Sequence, residues 1–210
     1  MACSGSTLPT RVRLLTQIAA LYALRRRAKA FDLVRMSIQS RTTPKSFFSE
    51  LFIHLSLFLG YPAMLDGLER LHALTATSHA RQSDSRDAVA LRARGMATLR
   101  KVYGKQAAKL LEHLDDLQPG LGKRITEHAY GTVMARTGLS LAERELATVV
   151  VLFIEGYQRQ LYSHIRGALR TGVSPATLKA VLRCAGRTAR KDVRKAISTV
   201  DEIVRTQTMR

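Results

Sequence analysis

Apolar residues recur at spacings of three and four positions along almost the whole chain, which is the pattern of amphipathic helices. The stretch from Leu14 to Tyr22 is a clear example, and no stretch alternates between apolar and polar residues as a half-buried strand would. Ser140 and Glu143 have the spacing of a capping box, and Ser174 precedes a proline as a helix N-cap residue often does. The pattern therefore predicts an all-α protein folded as a helical bundle.

The helical pattern repeats after 131 residues, which indicates a tandem duplication. Under this shift Leu15 aligns with Leu146, and the Thr43–Pro44 cap aligns with Ser174–Pro175. Two amphipathic units of this kind each need a partner face, so we expect them to pack together as an internal pseudo-dimer. The predicted organisation is a flexible arm at 1–10, a first unit at 11–75, a linker at 76–87, and a second unit with extra N-terminal helices at 88–210.

The charge of the chain is strongly positive. Its 210 residues include 34 Lys and Arg but only 16 Asp and Glu, which gives a net charge of +18. A positive field of this kind attracts polyanions as well as small carboxylates. Trp is absent and aromatic residues make up 6% of the chain, which is poor provision for stacking on bases. We therefore expect at most non-specific binding of nucleic acid.

Cysteine usage and apolar run lengths bear on cofactors and compartment. Cys3 and Cys184 are too few for a disulfide framework or a zinc finger, and the histidines lack metal-ligand spacing, so we expect no metal and no cofactor. The longest apolar run, Ala147 to Ile154, is far shorter than a membrane span, and arginines interrupt the N-terminal apolar stretch. We therefore predict a cytoplasmic protein with no membrane partner.

Several segments of the second unit match the sequence pattern of a known family. They are Ile125–Gly131, the Arg-Glu-Leu of Arg144–Leu146, and the stretch GYQRQLYSHIRGALRTGVSP from Gly156 to Pro175. Through them, residues 92–186 resemble the carboxymuconolactone decarboxylase family of the alkyl hydroperoxidase D-like superfamily. The first unit resembles only the closing helix of that family. The resemblance implies two alkyl hydroperoxidase D-like helical units in each chain and assembly into a homo-oligomer.

The family has a thiol-dependent peroxidase branch and a decarboxylase branch. The peroxidase branch needs a Cys-x-x-Cys motif that ends four residues before a histidine, because its cycle needs an attacking and a resolving thiol. Before His164 these two places hold Tyr157 and Gln160. The missing motif argues against a thiol peroxidase, and we expect Cys184 to be a small buried apolar residue.

The decarboxylase branch removes carbon dioxide from a lactone diacid without a metal, a cofactor or a thiol. The resemblance implies that His164 delivers a proton and that Glu145 orients or protonates this histidine. Arginines would anchor the substrate carboxylates by forked hydrogen bonds. The candidate substrate-binding residues are Arg144, Arg166, Arg136, Tyr157, Gln160 and His54. Gln160 stands where this branch usually has a glutamate, and an amide cannot exchange a proton in that role.

The sequence leaves three functions open. The one we rank first is a cofactor-independent, lyase-type acid/base enzyme that acts on a small cyclic or unsaturated carboxylate. The second is a catalytically reduced oligomeric scaffold of the same family, which Gln160 favours. The third is a basic, helical nucleic-acid-binding protein, which the net charge of +18 favours.

The two units have lost complementary parts of the family pattern. In the first unit, Leu14 stands at the place of Glu145 and Leu33 at the place of His164, and a leucine cannot exchange a proton. The first unit keeps the closing helix around His54. We therefore predict one composite site per chain, near His164 and roofed by that helix, and a vestigial pocket filled by the two leucines. The alternative is that this helix is only a packing partner.

Overall fold

The computed structural model describes residues 8–74 and 87–208, and within these ranges the chain is helical and contains no strand. The predicted all-α fold is therefore confirmed. The helices are α1 Thr10–Ala23, α2 Arg27–Gln39, α3 Lys45–Leu74, α4 Ala88–Tyr103, α5 Ala107–Leu117, α6 Leu121–Arg124, α7 Leu141–Glu155, α8 Gln158–Arg170, α9 Pro175–Ala189 and α10 Arg194–Thr208. A 3-10 turn, Gly104–Gln106, separates α4 from α5, and a π-helix, Ile125–Met134, follows α6.

Helix α7 lies at the centre of the main hydrophobic core. The ten consecutive residues Arg144–Phe153 are all buried, which is typical of a helix that is covered on every side. The predicted capping box forms at its start, where the Glu143 backbone N–H donates to Ser140 and the Glu143 carboxylate accepts from the Ser140 backbone N–H. Gly156 ends the helix in the left-handed conformation. Helices α1, α3, α8 and α9 surround α7.

The bounds of α7 and α8 agree with those of α1 and α2 when 131 is added to the residue numbers. Adding 131 to the bounds of α1 and α2 gives 141–154 and 158–170, and the observed bounds of α7 and α8 are 141–155 and 158–170. Helix α1 packs against α9, and the aligned pair α7 and α3 also pack against each other. These matches support the duplication and the pseudo-dimer, which stay predictions.

Helix α3 breaks at Gly60. The φ of +78° at this residue lies in a region that favours glycine, so the backbone turns there between two helical segments, and Pro62 lies in the first turn of the second segment. The sequence Gly-Tyr-Pro thus marks a turn between helices. Under the shift of 131 residues Gly60 aligns with Lys191, which lies between α9 and α10.

Helix α3 is also long and apolar enough to cross a membrane, because an 18-residue window of it has a mean hydropathy of 1.4. This finding corrects the expectation that no stretch of the chain comes near a membrane span. A single helix of this kind is weak evidence for a membrane, since the core helix of a soluble protein passes the same test. The cellular location stays a prediction.

The predicted arm and linker fall mostly outside the described residues. Of the arm at 1–10, residues 1–7 lie outside, Leu8 is buried, and α1 begins at Thr10, one residue before the predicted start of the first unit. Of the linker at 76–87, only Asp87 is described. Its carboxylate accepts a hydrogen bond of 2.9 Å from the backbone N–H of Val89 and caps α4.

The extra N-terminal part of the second unit is held together by close backbone contact between α4 and the π-helix. A Cβ atom at Gly95 would lie 2.0 Å from the carbonyl oxygen of Thr126, and one at Gly131 would lie 2.4 Å from that of Leu91. Only glycine permits this approach. The two elements carry Tyr103 at the end of α4 and Tyr130 in the π-helix, beside a second, smaller apolar core.

Candidate active site

A buried glutamate from α7 binds the histidine of α8. The Nδ1 atom of His164 lies 3.0 Å from Oε2 of Glu145. The Glu145 side chain is fully buried, whereas 11% of the His164 side chain remains exposed. Because a carboxylate oxygen can only accept, a proton on Nδ1 forms this bond, and in the tautomer with that single proton Nε2 is the acceptor. The two predicted catalytic residues are thus brought together, with the reactive nitrogen turned away from the glutamate.

Gly167, one turn after His164 on α8, makes room for this pair. A Cβ atom at position 167 would lie 2.5 Å from Oε2 of Glu145 and 2.7 Å from Cγ1 of Val102. Contacts that short do not occur between real atoms. The absence of a side chain at position 167 is therefore what lets the Glu145 carboxylate lie against α8 at the level of His164.

Two tyrosines extend the hydrogen-bonded pair. The Tyr130 hydroxyl donates to the Tyr103 hydroxyl over 3.1 Å, and the Tyr103 oxygen lies 3.4 Å from Nε2 of His164. Since the Tyr103 oxygen accepts a hydrogen bond from Tyr130, the proton of Tyr103 is available for donation to Nε2 of His164 when that nitrogen is unprotonated. In that state the chain of donors runs in one direction, from Tyr130 through Tyr103 and His164 to Glu145, and each bond polarises the next.

Burial keeps both phenols protonated. It raises the pKa of Tyr103 to about 12 and that of Tyr130 well above its ordinary value, and the nearby Glu145 acts in the same direction on both. At neutral pH each hydroxyl is therefore a hydrogen-bond donor. Tyr103 can donate either to His164 or to an oxygen atom of a ligand.

A cavity of about 510 Å³ opens beside Nε2 of His164. The polar residues of its wall are His164, Tyr103, Tyr130, Gln160, Arg159, His113 and Ser163. The rest of its wall is mainly apolar and comes from α3, α5 and the π-helix. The apolar wall residues are Leu57, Phe58, Leu110, Leu114, Leu117, Ile125, Ala129 and Met134. The volume lies within the range of small-molecule sites, about 300–1,000 Å³.

The first unit contributes to this cavity through α3. The rings of Phe58 and His164 meet edge to face, with centroids 6.5 Å apart, and the rings of His54 and Phe58 do the same at 5.8 Å. Phe58 thus lies between His54 and His164, on the helix that the composite-site hypothesis places over the site. At the aligned place in the first unit, Leu14 is buried and Leu33 packs against the apolar core. A contribution of α3 to activity stays a prediction.

Two of the expected carboxylate anchors bind a carboxylate of the protein itself. The guanidinium of Arg144 is fully buried and donates to Glu50 of α3 over 2.8 Å, and Arg136 donates to both oxygens of Glu50 over 2.8–3.0 Å. Burial lowers the pKa of Arg144, and Glu50 opposes this effect. Neither arginine belongs to the cavity wall. Both join the first unit to the second, because a buried guanidinium needs an anionic partner.

His54 lies behind Phe58 rather than in the cavity. Its side chain is fully buried, and Nε2 lies 3.1 Å from Oγ1 of Thr148. Because this hydroxyl donates its proton to the carbonyl of Arg144, it accepts from Nε2–H of His54. Burial lowers the pKa of His54 well below its ordinary value, and the positive charge of Arg144 adds to the shift. His54 is therefore neutral, which suits packing.

The other expected binding residues divide between the wall and the surface. Gln160 lines the main cavity, and Arg166 lines a smaller cavity of about 290 Å³ beside it. Tyr157 is the N-cap residue of α8, is 56% exposed and contributes to the wall of neither cavity. Cys184 is fully buried in α9 among apolar side chains, but it is disulfide-bonded, so the expectation that it is only a small apolar residue is wrong.

Reasoning from the sequence missed the roles of Tyr103 and Tyr130 and the wall residues of α5, whereas it placed the helix around His54, which carries Phe58, over the site. A signal for the tyrosines exists, because each precedes a glycine, Gly104 or Gly131, within a segment that resembles the family. The signal for Phe58 is the complementary loss in the two units, which predicts that its helix covers His164. Among residues 8–74 and 87–208, no group of three His, Cys, Asp or Glu side chains is placed to hold a metal ion.

The fold and the site together define a class of protein. It is an all-α protein in which a central helix supplies a buried glutamate to a histidine on the next helix, at the edge of an apolar cavity. Residues 119–198 match the model of the carboxymuconolactone decarboxylase family. The resemblance seen in the sequence is therefore confirmed over this segment, which runs from α6 into α10 and includes Glu145 and His164. A search of curated proteins found no match to the chain.

Proposed function

We propose that this protein is a cofactor-independent acid/base enzyme of the lyase type, which transfers a proton at a carbon atom next to a carbonyl group. The observation that carries the proposal is the hydrogen-bonded chain that joins Tyr130, Tyr103, His164 and Glu145 beside a cavity. A structural histidine would not need a buried glutamate on one nitrogen and an open cavity on the other.

The chain's own residues account for each part of such a reaction. Loss of CO2 from a carboxylate β to a carbonyl leaves the bonding electron pair in an enolate, and one proton must then reach the carbon. His164, protonated from solvent, gives this proton from Nε2, while Glu145 stabilises the charged ring through Nδ1. Tyr103 donates its hydrogen bond to the enolate oxygen, where charge develops. One proton is consumed for each CO2 released.

The proposal gives each chain one site, shared by two related units. Matching helix bounds at a shift of 131 residues support the duplication, and the contact of Phe58 with His164 supports the composite site. Homo-oligomeric assembly and a cytoplasmic location belong to the same proposal. The exposed Tyr61 and Leu65 on α3 support assembly, because they give a second copy an apolar face.

The test is a screen of lactone and muconate-type carboxylates, scored for both CO2 release and proton uptake. With a substrate found, His164→Ala should lower kcat by at least about 10²-fold, the usual contribution of a general acid or base. Tyr103→Phe should also lower kcat, whereas the matched variant Tyr162→Phe, on the exposed face of α8, should not. Wild-type turnover by the His164 variant would refute the assignment. A folded protein without turnover on the whole panel would favour the scaffold alternative.

A further inference from the structure

A second cavity adjoins the candidate active site. It measures about 290 Å³ and lies between the end of α4, α5 and α8. It shares four wall residues with the main cavity: Tyr103, Leu110, His113 and Ser163. Tyr103, which lies at hydrogen-bond distance from His164, therefore stands at the junction of the two cavities. The middle of a ligand that occupies both cavities would therefore lie beside Tyr103 and His164.

The second cavity is lined by three cations. Lys109 comes from α5, and Arg166 and Arg170 lie one turn apart on α8. None of the three forms a salt bridge or a side-chain hydrogen bond within the described part of the chain. Arg136 and Arg144, by contrast, are both paired with Glu50. The three cations thus converge on a space that contains no protein carboxylate to neutralise them.

The position of Arg170 depends on Gly104. A Cβ atom at Gly104 would lie 2.2 Å from Nη1 of Arg170, so the guanidinium packs directly on the backbone of the turn after α4. The φ of +59° at Gly104 also favours glycine. The local sequence Tyr-Gly therefore places both the hydroxyl of Tyr103 and the guanidinium of Arg170 at this cavity.

The main cavity differs from the second cavity because most of the residues that line it are apolar. Eight apolar side chains line it, and the exposed surface of its wall is mainly apolar. A small dicarboxylate would leave that apolar wall uncovered, and burying the wall against an apolar group yields roughly 25 cal/mol per Å² of area removed from water. The two cavities together therefore favour a ligand that has one apolar part and one anionic part.

We propose that the two cavities form a single site for an amphipathic anion, whose apolar body fills the main cavity and whose carboxylate or phosphate group lies among Lys109, Arg166 and Arg170. Arginine forks match the geometry of both oxyanions. This inference rests on the proposed function, and deepens it by naming the substrate class. It also places the reacting carbon near Tyr103, between the anionic group and the apolar body.

Isothermal titration calorimetry with five probes tests the proposal. Octanoate and octyl phosphate carry both parts, octanol carries only the apolar part, and acetate and inorganic phosphate carry only the anionic part. The wild-type protein should bind at least one of the first two at least about tenfold more tightly than the other three, and the stronger of the two identifies the preferred oxyanion. If acetate or phosphate binds as tightly as its octyl counterpart, the proposal is overturned.

Paired variants locate the anion. Arg166→Gln combined with Arg170→Gln should raise the Kd of the octyl anion at least about tenfold, as expected for lost charged hydrogen bonds, and leave octanol unchanged. Arg183→Gln combined with Arg190→Gln removes the same charge from the distant face of α9 and should have no such effect. Equal effects of the two pairs would show attraction by net charge alone and overturn the proposal.

Further measurements separate this inference from the proposed function. Leu114→Asp, in the apolar wall, should weaken octanol and octanoate alike, and unchanged binding of both would overturn the placement of the apolar body. His164→Ala should still bind octanoate. If the wild-type protein binds the octyl anions selectively but turns over no compound of the carboxylate panel, this inference stands and the proposed enzyme is rejected. Turnover of small carboxylates without selective binding of the octyl anions would reject this inference and keep the enzyme.

Discussion

Gly167→Ala tests whether the glutamate–histidine pair is held by the space that glycine leaves. The new Cβ atom would lie 2.5 Å from Oε2 of Glu145 and 2.7 Å from Cγ1 of Val102. Glu145 is fully buried, so its carboxylate has no solvent to move into. The substitution must therefore shift the carboxylate, α8 or α4, and any of these shifts lengthens the 3.0 Å bond to His164.

The sign of the stability change distinguishes this reasoning from a simple effect of helix propensity. Alanine in the interior of a helix is favoured over glycine by about 1 kcal/mol. Overpacking of a buried site costs about 1–3 kcal/mol. The clash outweighs the propensity, so we expect a net loss of up to about 2 kcal/mol in the free energy of unfolding. A misplacement of the catalytic pair by about 1 Å should also lower kcat on the order of 10²-fold.

Urea unfolding and proton NMR measure the two effects. The downfield resonance of the Nδ1 proton of His164 should be lost or shifted in Gly167→Ala. Glu145→Asp shortens the carboxylate by one methylene, so adding it to Gly167→Ala should relieve the clash, with a coupling energy of about 0.5–3 kcal/mol in the double-mutant cycle. If Gly167→Ala stabilises the protein, or if the two changes are simply additive, the carboxylate does not depend on this glycine.

Two further predictions concern buried charge. Glu50→Ala should lower the free energy of unfolding by about 3–5 kcal/mol, because it leaves Arg144 buried without its carboxylate. The control Asp32→Ala removes one partner of an exposed ion pair and should cost about 0–1 kcal/mol. Equal losses for the two variants in urea unfolding would contradict this account. Because the pKa of His54 is lowered in the folded protein, the unfolded state binds the proton first, and stability should fall by about 1.4 kcal/mol for each pH unit below 6.5 until the folded-state pKa is reached. His54→Gln should remove this dependence, His128→Gln at the surface should leave it, and identical pH profiles of the two variants would refute it.

Local signals in the sequence determined much of the helical framework. The Ser140–Glu143 capping box and the left-handed Gly156 enclose α7, and Ser174 caps α9, because each of these signals acts within one helical turn. Helical spacing and the family resemblance together predicted that His164 and Glu145 belong to one site. Neighbouring helices joined by a short turn pack together, so this contact needs little beyond the local pattern.

The sequence could not determine what lies opposite each side chain across the bundle. The sequence predicts that Arg144 anchors a ligand, but α3 brings Glu50 to it from 94 positions away. The buried guanidinium is therefore paired with a carboxylate of the protein and not with one of a substrate. Tyr103 and Phe58 face His164 because the fold brings the end of α4 and the middle of α3 to this part of α8. Whether a charged or aromatic side chain binds a ligand or a neighbour is decided by contacts between distant helices, and only the tertiary structure sets those.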